Sequence, residues 1–518
     1  MTTLTPRLSL GALTSHIQHT SHTDALRTPA PQDEHLFLCD GQTLANKIRS
    51  GELGAEEVVH AHIRFARQVN PLLNAIVANR YQEALDEARA VDARREREGG
   101  DALPDLAGVP CTIKESFALT GMPNSAGLMA RRHVRSMQDA ITVERWRDAG
   151  AIPLGVTNIP ELCMWYETHN HIYGRTNNAY SEAHICGGSS GGEGAIIGSG
   201  ASPFGLGSDV GGSIRMPAFF NGIFGHKPTG GLVPSSGQYP RSDGDALRYL
   251  CTGPLCRRAT DLYPLTRLLA GDDGQDVGIR PDLVLEDPAG VDISSLRVHT
   301  ILSNDFIHPS GEIKDALVDA ADILERLGAY RADASFPLLS KSFDIWSAML
   351  TSSEAPSFRE LLHQEDSTRS LLTDFYQWTA RRSPHTLPAI ILAMTEKLTS
   401  ILSQRVNEAI ANGERLKAEL TELLGERGVL LYPTFPTAAP RHFQPLVRPA
   451  HFVYTAIFNV LEFPATHVPL GLNPEGLPLG IQIIANHGND HLAIACAEAL
   501  ERELGGWVPP WQRDTQRP

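Results

Sequence analysis

The chain has 518 residues, 42% of them hydrophobic and 20% charged, with a formal net charge of -15. This is the composition of a soluble globular protein, long enough for one large α/β domain or for two or three average ones. So acidic a chain is repelled by phosphate backbones, which sets nucleic acid aside as a partner. Its 7 cysteines are scattered, with no C-x-x-C pair. They argue for reduced thiols in a cytoplasmic protein, and no second pair completes a zinc site around Cys251 and Cys256.

Residues 1–35 are rich in Thr, His, Ser and Pro without a period and read as a flexible arm; the opening lacks the apolar core of a signal peptide. From Thr43 to about Arg97 the pattern is helical, and "AEEVVHAHIRFARQV" puts Val58, Val59, His62, Ile63 and Ala66 on one face. Between 103 and 260 short β-type runs ("LAGVPCTIK", "AIPLGVTN") alternate with glycine-dense turns. "SMQDAITVERWRDAGA" supplies a helix between them, stopping at Gly150.

"LRVHTIL" is again strand-like. Ser310 then caps a helix with Ile313, Leu317, Ala320, Ala321, Leu324 and Leu327 inward, ended by Gly328. Residues 337–425 are helical in pattern and read as an insertion covering the sheet. Their most apolar run, "LPAIILAM" at 387–394, is too short to span a bilayer. Strands return in "GVLLYPTFP", "ATHVPLGL" and "PLGIQIIA", followed by a closing helix, "HLAIACAEALERELGG". Strand–helix–strand order predicts an α/β fold. Segments from both ends are needed to complete one sheet, so a single domain over 36–518 is expected.

The chemistry concentrates in "GGSSGGEGAIIGSG", residues 187–200. A Walker-type loop is excluded, because no Lys follows and Glu193 repels phosphate. "GLGSDVGG" misses the dinucleotide fingerprint by one position. The apolar run that follows at once does not suit a linker. "GGSSG" does satisfy the nucleophile-elbow pattern G-x-S-x-G, with Ser189 as nucleophile and His442, His451, His467, His487 and His491 as available bases. Its lead-in "NNAYSEAHIC" reads as loop rather than strand, and the elbow stays open at this point.

A second serine and glycine cluster, "GSDVGGSIRMP" at 207–217, and the isolated lysine of "GVPCTIKESF" complete a pattern. Residues 187–229 resemble the signature of the amidase signature family of serine hydrolases. "GMPNSAGLMARR", "ELCMWYE", "TGPLC" and "GLPLGIQIIA" are similar to its fatty acid amide hydrolase 2 branch and bacterial relatives.

The resemblance implies an α/β/α sandwich around a large mixed β-sheet with an α-helical insertion, the core signature lying at 103–260. It implies Ser213 as nucleophile, Ser189 as a bridging serine on a cis peptide bond with Gly188, and Lys114 as base. It puts the amides of Val210, Gly211, Gly212 and Ser213 in an oxyanion hole, and Met164, Trp165 and Tyr166 along an acyl-binding wall. A lysine serves as base only when neutral, so Lys114 must be buried away from acids, and Glu115 beside it must point elsewhere.

Asp209 and Arg215 are expected to pair structurally and pin the nucleophile loop. His169 and His171 form an H-x-H pair on a surface loop, without a third ligand, and neither metal nor cofactor is expected. The expected substrate is a small-molecule amide with a hydrophobic acyl group, and relatives suggest a homodimer. Two rivals are a glutamine amidotransferase-type subunit, which needs charged pocket contacts, and a catalytically silent binding homologue.

Overall fold

A computed structural model describes residues 27–353, 356–364, 370–399 and 403–516. The arm expected over 1–35 therefore lies, for residues 1–26, outside the described residues; the segment Glu34–Leu38 is a short helix.

Eleven strands form one sheet. From edge to edge they are Ile76–Asn79, Ile152–Thr157, Pro110–Lys114, Phe204–Asp209, Cys251–Cys256, Phe224–Lys227, Ala465–Leu472, Pro478–Ala485, Gly428–Pro433, Arg297–Thr300 and Tyr330–Asp333. Pro110–Lys114 is parallel to both of its neighbours. Antiparallel pairing runs through the middle, and parallel pairing resumes at the far edge. The sheet is thus mixed.

Side chains alternate between its two faces, as strand geometry requires. Val429, Leu431, Ile481 and Ile483 join the larger core, beneath the helices Ala55–Leu73, Gly311–Arg326 and Asp490–Leu504. Leu430, Tyr432 and Ile484 face the other way, against the helices Ser403–Leu424 and Val453–Val460. Helices cover both faces, which is the sandwich the resemblance implies.

The predicted helix face at Val58, Val59, His62, Ile63 and Ala66 is buried. The helical reading of 43–97 is interrupted, however. A strand, Ile76–Asn79, pairs antiparallel with Ile152–Thr157 between the helices Ala55–Leu73 and Tyr81–Glu98. The helix Gly311–Arg326 buries all the predicted residues except Leu327, which is 38% exposed. Leu327 lies beyond the last full turn, where the chain leaves through Gly328 at φ 103. Ser310 occupies the N-cap position without a side-chain bond.

Between Pro337 and Leu424 the described residues are mainly helical, including Ser342–Ser352, Phe358–His363, Leu371–Thr379 and Leu387–Thr399, with a connecting loop at 380–386. The apolar helix Leu387–Thr399 buries Ala389 and Ala393 against Leu128, Ile159 and Leu162, so it covers a core. No helix among the described residues is long and apolar enough to cross a membrane.

The helix Gly191–Gly198 is entirely buried. Its Glu193 carboxylate accepts bonds from Thr112 Oγ1 at 2.5 Å and Thr157 Oγ1 at 2.7 Å. Burial pushes this carboxyl up from 4.5 to about 8. A raised carboxyl is protonated in both folded and unfolded chains at low pH, and must stay a buried anion once pH exceeds its folded value. Its contribution to stability is therefore lost as pH rises from about 4.5 to about 8. Glu193→Gln, which keeps both threonine bonds, is expected to gain thermal stability relative to wild type between about pH 5 and about pH 9. Melting temperatures of both proteins at the two pH values test this; parallel shifts would refute it.

Candidate active site

Lys114 ends the strand Pro110–Lys114 and is fully buried. Its Nζ lies 2.7 Å from Ser189 Oγ, 2.9 Å from Ser208 Oγ and 3.4 Å from the Ser208 carbonyl oxygen. Every one of these partners is neutral. Burial lowers the ammonium below its ordinary value, against weaker opposing fields from Cys163, Asp209 and Glu193. Glu115, next in sequence, turns away. Its carboxylate accepts from the Ser125 and Ala126 amides at 2.7 and 2.9 Å, from Ser125 Oγ at 2.5 Å and from the Tyr173 hydroxyl at 2.9 Å.

Ser189 follows a cis peptide bond, Gly188–Ser189. A Cβ on Gly188 would lie 2.5 Å from the Trp165 carbonyl oxygen, so only glycine lets the 165–166 backbone pack here. The Ser190 amide donates to the Ser213 carbonyl at 3.2 Å, which ties the serine pair to the second glycine cluster. Lys114, Ser189 and the Ser213 segment are thus assembled from distant stretches of the chain. Among the described residues, no histidine is bonded to Ser189 or Ser213. The five elbow candidates are engaged elsewhere or lie apart; His467 Nδ1, for example, pairs with Thr434 Oγ1.

The loop carrying Ser213 is organised by Asp209 and Arg215, both fully buried. Arg215 Nε and Nη2 each donate to the Asp209 carboxylate at 3.0 Å. The same carboxylate accepts from the Gly212 amide at 2.5 Å, the Ile214 amide at 3.1 Å and Asn459 Nδ2 at 2.9 Å. Arg215 also reaches the Thr455 carbonyl, Gln482 Oε1 and Asn459 Oδ1. These bonds hold Asp209 ionised, well below the usual carboxylate range despite its burial. The Gly212 amide is therefore committed to Asp209. Those of Val210, Gly211 and Ser213 meet no acceptor among the described residues.

Aromatic side chains enclose this loop. Phe452 lies where a Cβ on Gly211 would touch it at 3.6 Å, and it packs on Trp346 at 4.9 Å between ring centres. Trp346 Nε1 donates to the Val210 carbonyl at 3.1 Å. Met164 and Trp165 are half-buried, whereas Tyr166 is buried, with its hydroxyl on the Arg448 carbonyl at 2.6 Å. Phe219 and Phe220 pack in the core with Tyr166 and Phe435. The H-x-H pair does not lie wholly on a loop: His169 is half-buried in a two-residue strand, His169–Asn170, that pairs with Gly174–Arg175, and His171 is exposed in the turn between them.

The model for the family described as Amidase matches residues 57–494. The chain belongs to the amidase family. It is 43% identical to fatty-acid amide hydrolase 2 of Homo sapiens over 94% of this chain and 93% of that one. It is also 43% identical to fatty-acid amide hydrolase 2-A of Danio rerio over 94% of each. The solved structure of a bacterial aryl acylamidase of the amidase signature family shares the fold, with a TM-score of 0.78 over 93% of this chain and 99% of that one at 24% identity. This amidase is an amide-hydrolysing enzyme of the α/β class.

Sequence reasoning did not single out Ser208, Asn459 or Trp346. Ser208 carried a signal: it sits in the same glycine cluster, on the strand beside Pro110–Lys114. Asn459 and Trp346 arrive from helices far along the chain, and nothing local marks them.

Gly212 has φ 111, and a Cβ there would lie 2.0 Å from Thr455 Oγ1, whereas one on Gly211 makes ordinary contacts. Gly212→Ala is expected to cost about 2–5 kcal/mol through backbone strain and overpacking. Gly211→Ala is expected to stay within about 1 kcal/mol of wild type. Denaturant unfolding of the two variants distinguishes them, and equal losses would contradict the loop geometry.

Proposed function

We propose that this enzyme cleaves linear amides with hydrophobic acyl groups through a lysine–serine–serine relay and a covalent acyl-enzyme. The observation that carries this reading is the 2.7 Å contact between Lys114 Nζ and Ser189 Oγ in a niche where the amine meets only neutral partners. A buried lysine so placed is the neutral base that a serine relay requires.

In this mechanism Lys114 takes the Ser189 proton as Ser189 takes that of Ser213. Ser213 Oγ then bonds to the substrate carbonyl carbon. The resulting oxyanion is received by the free amides of Val210, Gly211 and Ser213, while Gly212 keeps Asp209 in place. On collapse the C–N bond breaks, and the departing nitrogen takes its proton from Ser189, which is resupplied by Lys114. Water then repeats the relay on the acyl-enzyme and releases the acid.

Met164, Trp165, Tyr166, Phe452 and Trp346 supply an apolar and aromatic acyl wall, in keeping with relatives named fatty-acid amide hydrolases. Glutamine, the rival substrate class, brings an ammonium and a carboxylate that such a wall does not match. The intact Lys114–Ser189 contact weighs against a silent binding homologue. The 7 described cysteines are all free, which favours a reducing, cytoplasmic setting. Homodimerisation rests on the family likeness, and sedimentation reads it directly.

Lys114→Ala is expected to lower kcat about 10²–10⁴-fold. Because only the neutral amine accepts a proton, wild-type kcat/KM should rise with pH along an acid limb below the ordinary lysine range, and the variant should lose that limb. A pH-independent loss would point to a different base.

With anilides graded from acetyl to oleoyl, kcat/KM is expected to increase with acyl length. An acyl or fluorophosphonate adduct should map to Ser213 and vanish in Ser213→Ala. Turnover that peaks at short acyl groups would overturn the substrate class, and an adduct on Ser189 would restore the elbow mechanism.

A further inference from the structure

The insertion carries a cluster that amide cleavage does not use. His363 ends the helix Phe358–His363, Asp374 lies in the first turn of Leu371–Thr379, and His385 precedes the helix Leu387–Thr399. They are 5%, 1% and 1% exposed. One nitrogen or carboxylate oxygen from each lies within 4.8 Å of the others.

Two features point to an ion rather than a closed hydrogen-bond network. The His385 Nδ1–H donates to Glu161 Oε1 at 2.8 Å, which leaves Nε2 as an acceptor. That Nε2 is buried and has no hydrogen-bond partner. A buried polar atom left unpaired is costly and calls for an occupant. A histidine whose other nitrogen is held by a carboxylate is also the arrangement that fixes the tautomer and orientation of a metal ligand.

We propose that His363, Asp374 and His385 bind one Zn²⁺-class divalent cation, with Glu161 orienting His385 from behind. Two imidazoles and a carboxylate suit zinc, with water completing a tetrahedron. Ligand atoms on a common zinc sit about 3.4 Å apart, so atoms up to 4.8 Å apart close by up to about 1.4 Å while the His363–Asp374 pair opens by about 0.8 Å. His363 Nε2 now lies 2.6 Å from Asp374 Oδ2. Binding replaces that hydrogen bond: the ring takes the Nδ1–H tautomer, the proton passing there through solvent, and Nε2 turns its lone pair to the ion.

The ion would clamp the insertion to the pocket wall. Glu161 begins the segment leading to Met164 and Trp165, and its other oxygen accepts from the Thr386 amide and hydroxyl at 2.8 and 2.9 Å. Leu162 and Cys163 follow at φ 54 and 60, conformations that non-glycine residues hold only when their surroundings impose them. The pattern of the chain carries no metal signal, because the three ligands come from two separate helices and the loop before a third, without a recognisable spacing.

The test uses the full chain, stripped with a chelator and titrated with Zn²⁺ against a chromophoric competitor, then with Co²⁺ read by visible absorption. One ion per chain, tetrahedral Co²⁺ bands and a higher Tm with Zn²⁺ are expected. Glu161→Gln should weaken binding about 10–100-fold while keeping all three ligands, and His385→Ala should abolish it. Stripped wild-type protein that is folded by circular dichroism yet takes up no ion would overturn the proposal. So would uptake undiminished in both His363→Ala and His385→Ala.

Discussion

A lysine amine buried with no acid in contact is the constraint around which this structure is arranged. Three carboxyls lie near Lys114 in sequence or space, and each is disarmed differently. Glu115 is turned away, still buried, into the amides and hydroxyls of the 125–126 loop and Tyr173. Glu193 is bonded by two threonine hydroxyls and pushed toward its neutral form by burial. Asp209 keeps its charge but spends it on Arg215. Had any of these paired directly with Nζ, the ammonium would have been stabilised rather than pushed down.

The Asp209–Arg215 pair answers a second need. The amides of Val210, Gly211 and Ser213 meet no acceptor among the described residues, so their loop has to be fixed by its neighbours. Committing the Gly212 and Ile214 amides to Asp209 fixes the backbone on either side of Ser213 without consuming the neighbouring donors. Arg215 then anchors the loop to Thr455, Asn459 and Gln482, elements from the last third of the chain. The pair is buried and fully bonded, the condition under which an ion pair holds a geometry.

Much of this is legible in the sequence, because it is written locally. The glycine clusters, the apolar strand ending in Lys114 and the helix face at 58–66 need only short windows. The strand Ile76–Asn79 is lost between two strong helical patterns; its four residues gain a strand's identity only from pairing with Ile152–Thr157. Which amides of "DVGGS" stay free is equally invisible, since it depends on where one carboxylate points. Trp346, Asn459 and the His363, Asp374 and His385 cluster are contributed across long sequence separations, where periodicity carries no information.

The insertion illustrates why such distant contacts matter to the site. Its packing against the signature region is largely apolar, through Ala389 and Ala393 on Leu162 and Cys163, and apolar contact is non-directional. Register must then come from polar anchors. Among the described residues these include Trp346 Nε1 on the Val210 carbonyl, Glu161 on His385 and Thr386, and Gln364 Nε2 on the Tyr239 hydroxyl. The first seats an insertion helix on the loop that carries the free amides. The second seats another on the 161–166 segment. The backbone of both segments is therefore set jointly by the signature and the insertion.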